Sequence, residues 1–209
     1  MTDILLIALA ISLLYMSIAN RITTYLHILV FQGVLLFGVT YFTLTEMNTV
    51  NLLLIMLETI IFKAVATPWF INYIIKRHGI TRETEPYLPN FISLIIVTII
   101  IVATILLTSS IDDINLDKTF FVVALSTLFT GLYLIVSRKK IITHVIGYLV
   151  IENGVFILSL AVGNEMPMLV NLGIMLDIFA SVLILGIILN RIGDFLKDPD
   201  VNLLRNLKD

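Results

Sequence analysis

The chain contains no cysteine. That excludes disulfides, thiolate ligation of an iron–sulfur cluster and a cysteine nucleophile within it. Charge is also scarce: only 13% of its 209 residues are Asp, Glu, Lys or Arg, against about a quarter in ordinary soluble domains. The three histidines, His27, His78 and His144, stand far apart and match no metal-ligand spacing. There is no glycine-rich phosphate loop, no nucleophile beside a base and no haem or zinc pattern. No cofactor and no metal are therefore expected. The basic residues gather on no soluble face, so nucleic acid is not an expected partner. The opening Met-Thr-Asp carries no positive charge, and no A-x-A site follows the first apolar run. That run reads as a retained membrane anchor, not a cleaved signal peptide.

What the chain has in quantity is apolar length. Hydrophobic residues make up 59% of it and the mean hydropathy is +1.06. Several runs approach or exceed the roughly 18 residues that span a bilayer as a helix. The pattern predicts an all-α polytopic bundle of about seven transmembrane helices. Their ranges are 4–19, 25–44, 51–75, 89–107, 119–136, 141–162 and 167–191. Pro68 should kink the third, because it lacks a backbone donor and crowds the preceding turn. Pro89 and Pro167 sit at helix starts, where proline fits.

The basic residues give an orientation. With seven spans, one side of the membrane holds Lys118 alone. The other holds eleven: Arg21, Lys76, Arg77, Arg82, Arg138, Lys139, Lys140, Arg191, Lys197, Arg205 and Lys208. The positive-inside rule then places the N-terminus outside and the C-terminus in the cytoplasm, across the plasma membrane. The remaining cation, Lys63, falls inside the third span.

The sequence also repeats. EMNTVNLLLIMLE, from Glu46 to Glu58, matches EMPMLVNLGIMLD, from Glu165 to Asp177, at a constant offset of 119 residues. One helix upstream, Gln32 in LVFQG aligns with Glu152 in LVIEN at an offset of 120. Spans one to three thus match spans five to seven, and an unmatched fourth span lets both triplets run the same way. This divides the chain into a first three-helix repeat (1–80), a linker helix with loops (81–117), a second repeat (118–192) and a cytoplasmic tail (193–209).

Both copies bury carboxylates in apolar helices. Such groups are costly in lipid and usually face a protein interior or a hydrated path. Glu152 lies halfway along the sixth span, with His144, Tyr148 and Ser159 near the same face. Asp177 lies halfway along the seventh, flanked at i±4 by the small residues Gly173 and Ser181. Two acids at similar depth suit a proton relay. The plainer reading is a pair of hydrogen-bonded packing residues. Glu58 and Lys63 are five residues apart, about 140° around an α-helix, so they should not pair cleanly. Lys63 is expected to reach a carboxylate on another helix or subunit, either tuning it or holding it in a static ion pair. Gln32 cannot carry a proton as an acid, which makes the second copy the better candidate for an active path. His27 and His144 stand at the cytoplasmic ends of the second and sixth spans, where each is either a proton entry point or a hydrogen-bonded interfacial residue. Trp69, Tyr73 and Tyr87 read as interface anchors. Glu46 and Glu165 favour helix N-termini. Asp112, Asp113 and Asp117 read as a solvated turn.

The segments GYLVIENGVFILSLAV and LGIMLDIFASVLILGIIL resemble the K subunit of NADH–quinone oxidoreductase (complex I), a three-helix protein with buried acids in its second and third helices. Glu152 and Asp177 match those positions, with Asp where the family has Glu. The C subunit of the multisubunit sodium/proton antiporters shares the plan. Four helices ahead of the K-like part make the whole chain similar to component E of hydrogenase-4, from the membrane arm of group 4 nickel–iron hydrogenase and formate hydrogenlyase-like complexes. The resemblance implies a membrane subunit of an oxidoreductase complex that holds no redox centre itself. Its acids would join a chain of buried charges, with Glu152, Asp177, His144 and Tyr148 relaying protons and Glu58 with Lys63 tuning them. Implied partners are antiporter-like membrane subunits, a peripheral nickel–iron hydrogenase-like arm with iron–sulfur subunits, and the lipid bilayer. Two other readings stay open: a cation/proton antiporter subunit without redox partners, and a structural membrane scaffold.

Overall fold

The computed structural model describes residues 1–43, 58–78, 86–111 and 116–161, together with Gly186. Every element among them is helical: α1 (Thr2–Ile18), α2 (Ile22–Thr43), a π-helix (Glu58–Ala66), α3 (Thr67–His78), α4 (Asn90–Ser109), α5 (Lys118–Ser137) and α6 (Ile141–Ala161). These follow the first six spans expected from hydropathy. The seventh, 167–191, lies outside the described residues, as do Asp177, Glu46 and Glu165. Four helices, α2, α4, α5 and α6, are long and apolar enough to cross a membrane. At 17 residues α1 rises about 26 Å, a little short of a hydrocarbon core of about 30 Å.

Pro68 lies one residue beyond the point where the π-helix gives way to α3. A proline has no N–H to donate backwards, so the ladder is interrupted there anyway. The expected irregularity at Pro68 thus takes the form of a change of helical register. Pro89 immediately precedes α4. Asp117 caps α5, its Oδ1 accepting from the backbone N–H of Thr119 (3.0 Å) and Phe120 (3.3 Å). It is therefore a helix cap and not merely part of a solvated turn, because an N-terminal orphan donor is best met by an Asp side chain.

α5 and α6 pack against each other most extensively. Their seam is made of glycines: a Cβ on Gly131 would stand 2.7 Å from the Gly147 carbonyl oxygen, and one on Gly147 would stand 2.9 Å from that of Gly131. Only hydrogen at both positions permits this approach, a device common between helices in lipid. α1 packs on α2, α4 and α5, and α2 packs on the π-helix, α3 and α6.

The core is layered along the helix axes. One apolar cluster holds Leu13 and Met16 of α1, Tyr25 and Leu29 of α2, Leu134 of α5 and Leu149 and Val150 of α6. A second holds Leu6 and Leu9 of α1, Leu35 and Leu36 of α2, Val123 and Ala124 of α5 and Phe156 and Ile157 of α6. Between them, on the same helices, fall the buried polar residues Ser12, Gln32, Thr127, Glu152 and Asn153. A polar layer therefore crosses the bundle at mid-height, sandwiched between two apolar ones.

Candidate functional site

The mid-height layer is built around Lys63. Its Nζ forms an ion pair with Oε1 of Glu152, and the two side chains are only 10% and 9% exposed. The ammonium makes no other hydrogen bond. It stands 4.5 Å from the ring centroid of Phe156. Glu152 and Phe156 are four residues apart on α6 and so share a face. Together they form a receptor for one cation, a carboxylate on one side and a ring face on the other. Lys63 thus reaches a carboxylate on another helix, as its spacing from Glu58 suggested.

The π-helix carries Lys63 to that place. A π-helix bonds i to i+5, so residues five apart lie roughly one turn above each other instead of 140° apart. The backbone positions of Glu58 and Lys63 are therefore closer in angle than the α-helical 140°, while Lys63 pairs with Glu152 on another helix. The Glu58 side chain itself lies outside the described residues. The π-helix meets α2 at Gly33, where a Cβ would stand 2.8 Å from both Cα and N of Ala64. Gly33 lets the backbone beside Lys63 come into contact with α2.

A hydrogen-bonded chain adjoins the ion pair. Asn153 Nδ2 donates to Gln32 Oε1 (3.2 Å), Gln32 Nε2 donates to Ser12 Oγ (2.9 Å), and Ser12 Oγ donates to the Leu9 carbonyl (2.6 Å). Gln32 is fully buried, and both ends of its amide are used. The chain clamps α6 to α2 and α2 to α1. On the far flank Thr104 and Ser126 hydroxyls join α4 to α5 at 2.7 Å.

Other residues singled out in the sequence behave differently. His144 is half-buried and its Nε2 engages the carbonyl of Arg138 at 2.9 Å. Tyr148 is half-buried. Neither makes a hydrogen bond to Glu152 among the described residues. Ser159 Oγ turns back on the Phe156 carbonyl at 2.7 Å. The structure thus brings together Lys63, Glu152, Gln32 and Asn153, and leaves His144 at the helix end. Trp69 and Tyr73 are exposed and stacked, with centroids 6.2 Å apart. Among the described residues no three His, Asp or Glu side chains gather as a metal site.

Sequence reasoning passed over Asn153, Ser12 and Phe156. Asn153 follows Glu152 directly, and a second polar residue inside an apolar helix was the available signal. Ser12 and Phe156 offered none, since serine and phenylalanine are ordinary in membrane helices.

No protein-family model matches the chain, and no solved structure matches it. The chain is similar to a protein of Mycobacterium tuberculosis (strain ATCC 25618 / H37Rv) described as the uncharacterized protein Rv0085, with 22% identity over 186 residues, covering 88% of this chain and 84% of that protein.

Proposed function

We propose that this chain is a membrane-arm subunit of a redox-driven, proton-translocating complex related to group 4 hydrogenases and complex I. The carrying observation is the buried Lys63–Glu152 pair, set in a polar layer between two apolar ones. Ionisable groups held at mid-height in helices this apolar are expensive, and such groups mark ion paths far more often than they serve as packing. The pair couples a carboxylate to a cation that can stabilise or release its charge, which is the electrical element of a relay.

In this reading the chain has seven spans, arranged as two parallel three-helix repeats around a linker. Its N-terminus is outside and its C-terminus cytoplasmic, in the plasma membrane. Asp177 is the second acid of the path and Glu58 the neighbour of the Lys63 position. Electrons pass through partner subunits, and this chain contributes charge and hydration to the proton route.

The test is a gentle-detergent pull-down from the native membrane with mass spectrometry, followed by Glu152→Gln in the assembled complex. A nickel–iron or quinone-reducing arm with antiporter-like subunits, and loss of proton translocation at unchanged assembly, is the expected result. Partners limited to antiporter-like proteins would replace the redox drive by ion exchange. Unchanged proton yield in Glu152→Gln would remove the pair from the path.

A further inference from the structure

Arg138 stands at the junction of α5 and α6 and is only 1% exposed. Its Nη2 donates to the Ser17 carbonyl at the end of α1 (2.7 Å). Its Nε and Nη1 have no hydrogen-bond partner, and neither do the buried hydroxyls of Tyr25 and Ser137. The guanidinium lies 5.9 Å from the Tyr25 ring centroid, and Ser137 is its chain neighbour. No described carboxylate pairs with it. A guanidinium is always charged, and burying its charge without an anion is strongly unfavourable. The Nε and Nη1 hydrogens of a buried guanidinium therefore stand beside the Tyr25 hydroxyl, which interacts with Arg138, with no anionic acceptor among the described residues.

The depth of this cluster identifies the anion. Tyr87, half exposed, donates its backbone N–H to the Ser137 carbonyl (2.9 Å) and carries the Lys139 ammonium 5.4 Å from its ring centroid. Lys140 is buried beside it in sequence. Aromatic rings and lysines at the ends of apolar helices mark the headgroup level. A phosphodiester presents several acceptor oxygens and one negative charge, which suits a guanidinium fork with two hydroxyls better than a single carbonyl would. The neighbouring lysines disfavour a headgroup that also bears an ammonium.

We propose that Arg138, with Tyr25 and Ser137, forms a phosphate-binding site at the basic end of the bundle whose ligand is the headgroup of an anionic phospholipid. The site needs only that this end lie at a membrane surface, and is independent of any redox partner. Because its donors are closed off from solvent, the lipid is held tightly and remains with the protein through purification.

The full chain, purified in mild detergent and washed extensively, is assayed for bound phospholipid by mass spectrometry. It is then titrated with phosphatidylglycerol, phosphatidylcholine or inorganic phosphate while thermal unfolding is followed. Expected are a retained stoichiometric anionic phospholipid and stabilisation by phosphatidylglycerol but not by phosphatidylcholine. Arg138→Gln should weaken the phosphatidylglycerol response by on the order of tenfold, the worth of one charge-assisted hydrogen bond. Should Arg138→Gln fail to fold, Arg138→Lys keeps the charge, loses the fork and should show a smaller weakening in the same direction. Equal stabilisation by inorganic phosphate would overturn the lipid assignment in favour of a free anion. Absence of retained lipid together with no response to phosphatidylglycerol would overturn the site altogether. So would an unchanged response in both variants, or a fall in stability with Glu83→Gln or Glu85→Gln equal to that with Arg138→Gln, which would make the chain's own carboxylate the counter-ion.

Discussion

Asn153 of α6 donates to Gln32 of α2 across 3.2 Å, so the helices carrying LVIEN and LVFQG meet through neighbouring positions of the same motif. The counterpart of Asn153 in the first copy is Gly33, and there α2 needs a bare backbone to receive Ala64. One helix uses the position to admit a neighbour, and the other uses it to reach across. Removing either amide should leave a buried polar group facing an apolar side chain. In a double-mutant cycle of Gln32→Leu and Asn153→Leu, the coupling should be about 1 kcal/mol, typical of hydrogen bonds between membrane helices. Unfolding titrations in mixed micelles measure it, and a coupling near zero would mean that the contact contributes no net stability.

The ion pair makes a separable prediction. Lys63→Met alone leaves the Glu152 carboxylate buried beside an apolar neighbour, and Glu152→Leu alone strands the ammonium. Each should cost about 3–5 kcal/mol if the remaining group stays charged. The double variant Lys63→Met/Glu152→Leu should return to within about 1 kcal/mol of the parent, since matched apolar replacements of buried pairs are well tolerated. If the pair serves transport, that stable double variant assembles normally and translocates nothing. Retained translocation would assign the pair to packing.

Gly33 should tolerate nothing larger than hydrogen. Its Cβ would fall 2.8 Å from the Ala64 backbone, and backbone cannot swing aside as a side-chain tip can. Gly33→Ala should destabilise by about 1–3 kcal/mol and push the π-helix away from α2, drawing Lys63 off Glu152. The same unfolding titration reports the cost. Combining Gly33→Ala with Lys63→Met should give less than the sum, because both act on the same contact.

The absence of native cysteine makes topology measurable without a background. Lys118→Cys should react with a membrane-impermeant maleimide on intact cells, and Lys139→Cys only after the membrane is opened. The reverse pattern would invert the orientation read from the basic residues.

Much of the helical layout was legible because long apolar runs have few alternatives in lipid: six expected spans correspond to described helical segments with ends shifted by a few residues, except at the third. There residues 51–57 of the expected span lie outside the described residues, and the described part opens as a π-helix with i→i+5 bonding from Glu58. That register leaves no compositional trace, so the angle between Glu58 and Lys63 could not be read correctly. The search of Lys63 for a remote carboxylate was legible, since a lone cation in an apolar helix must find one. Which carboxylate it finds was not, because that depends on the close approach at Gly33. Arg138 reads in sequence as one more basic loop residue, and its burial follows only from α1 ending against it.

The direction of the bonds from Asn153 to Leu9 has a consequence for any proton carried by Glu152. Each amide on that line donates one hydrogen along it, and the line stops at a backbone carbonyl. Primary amides neither take up nor release protons near neutral pH, so a charge arriving at Glu152 finds no onward hop toward α1. That flank insulates. Under the proposed relay, a proton path would run along the other sides of the carboxylate, past Lys63 and the π-helix, because the amides that hold the bundle together offer no route across it.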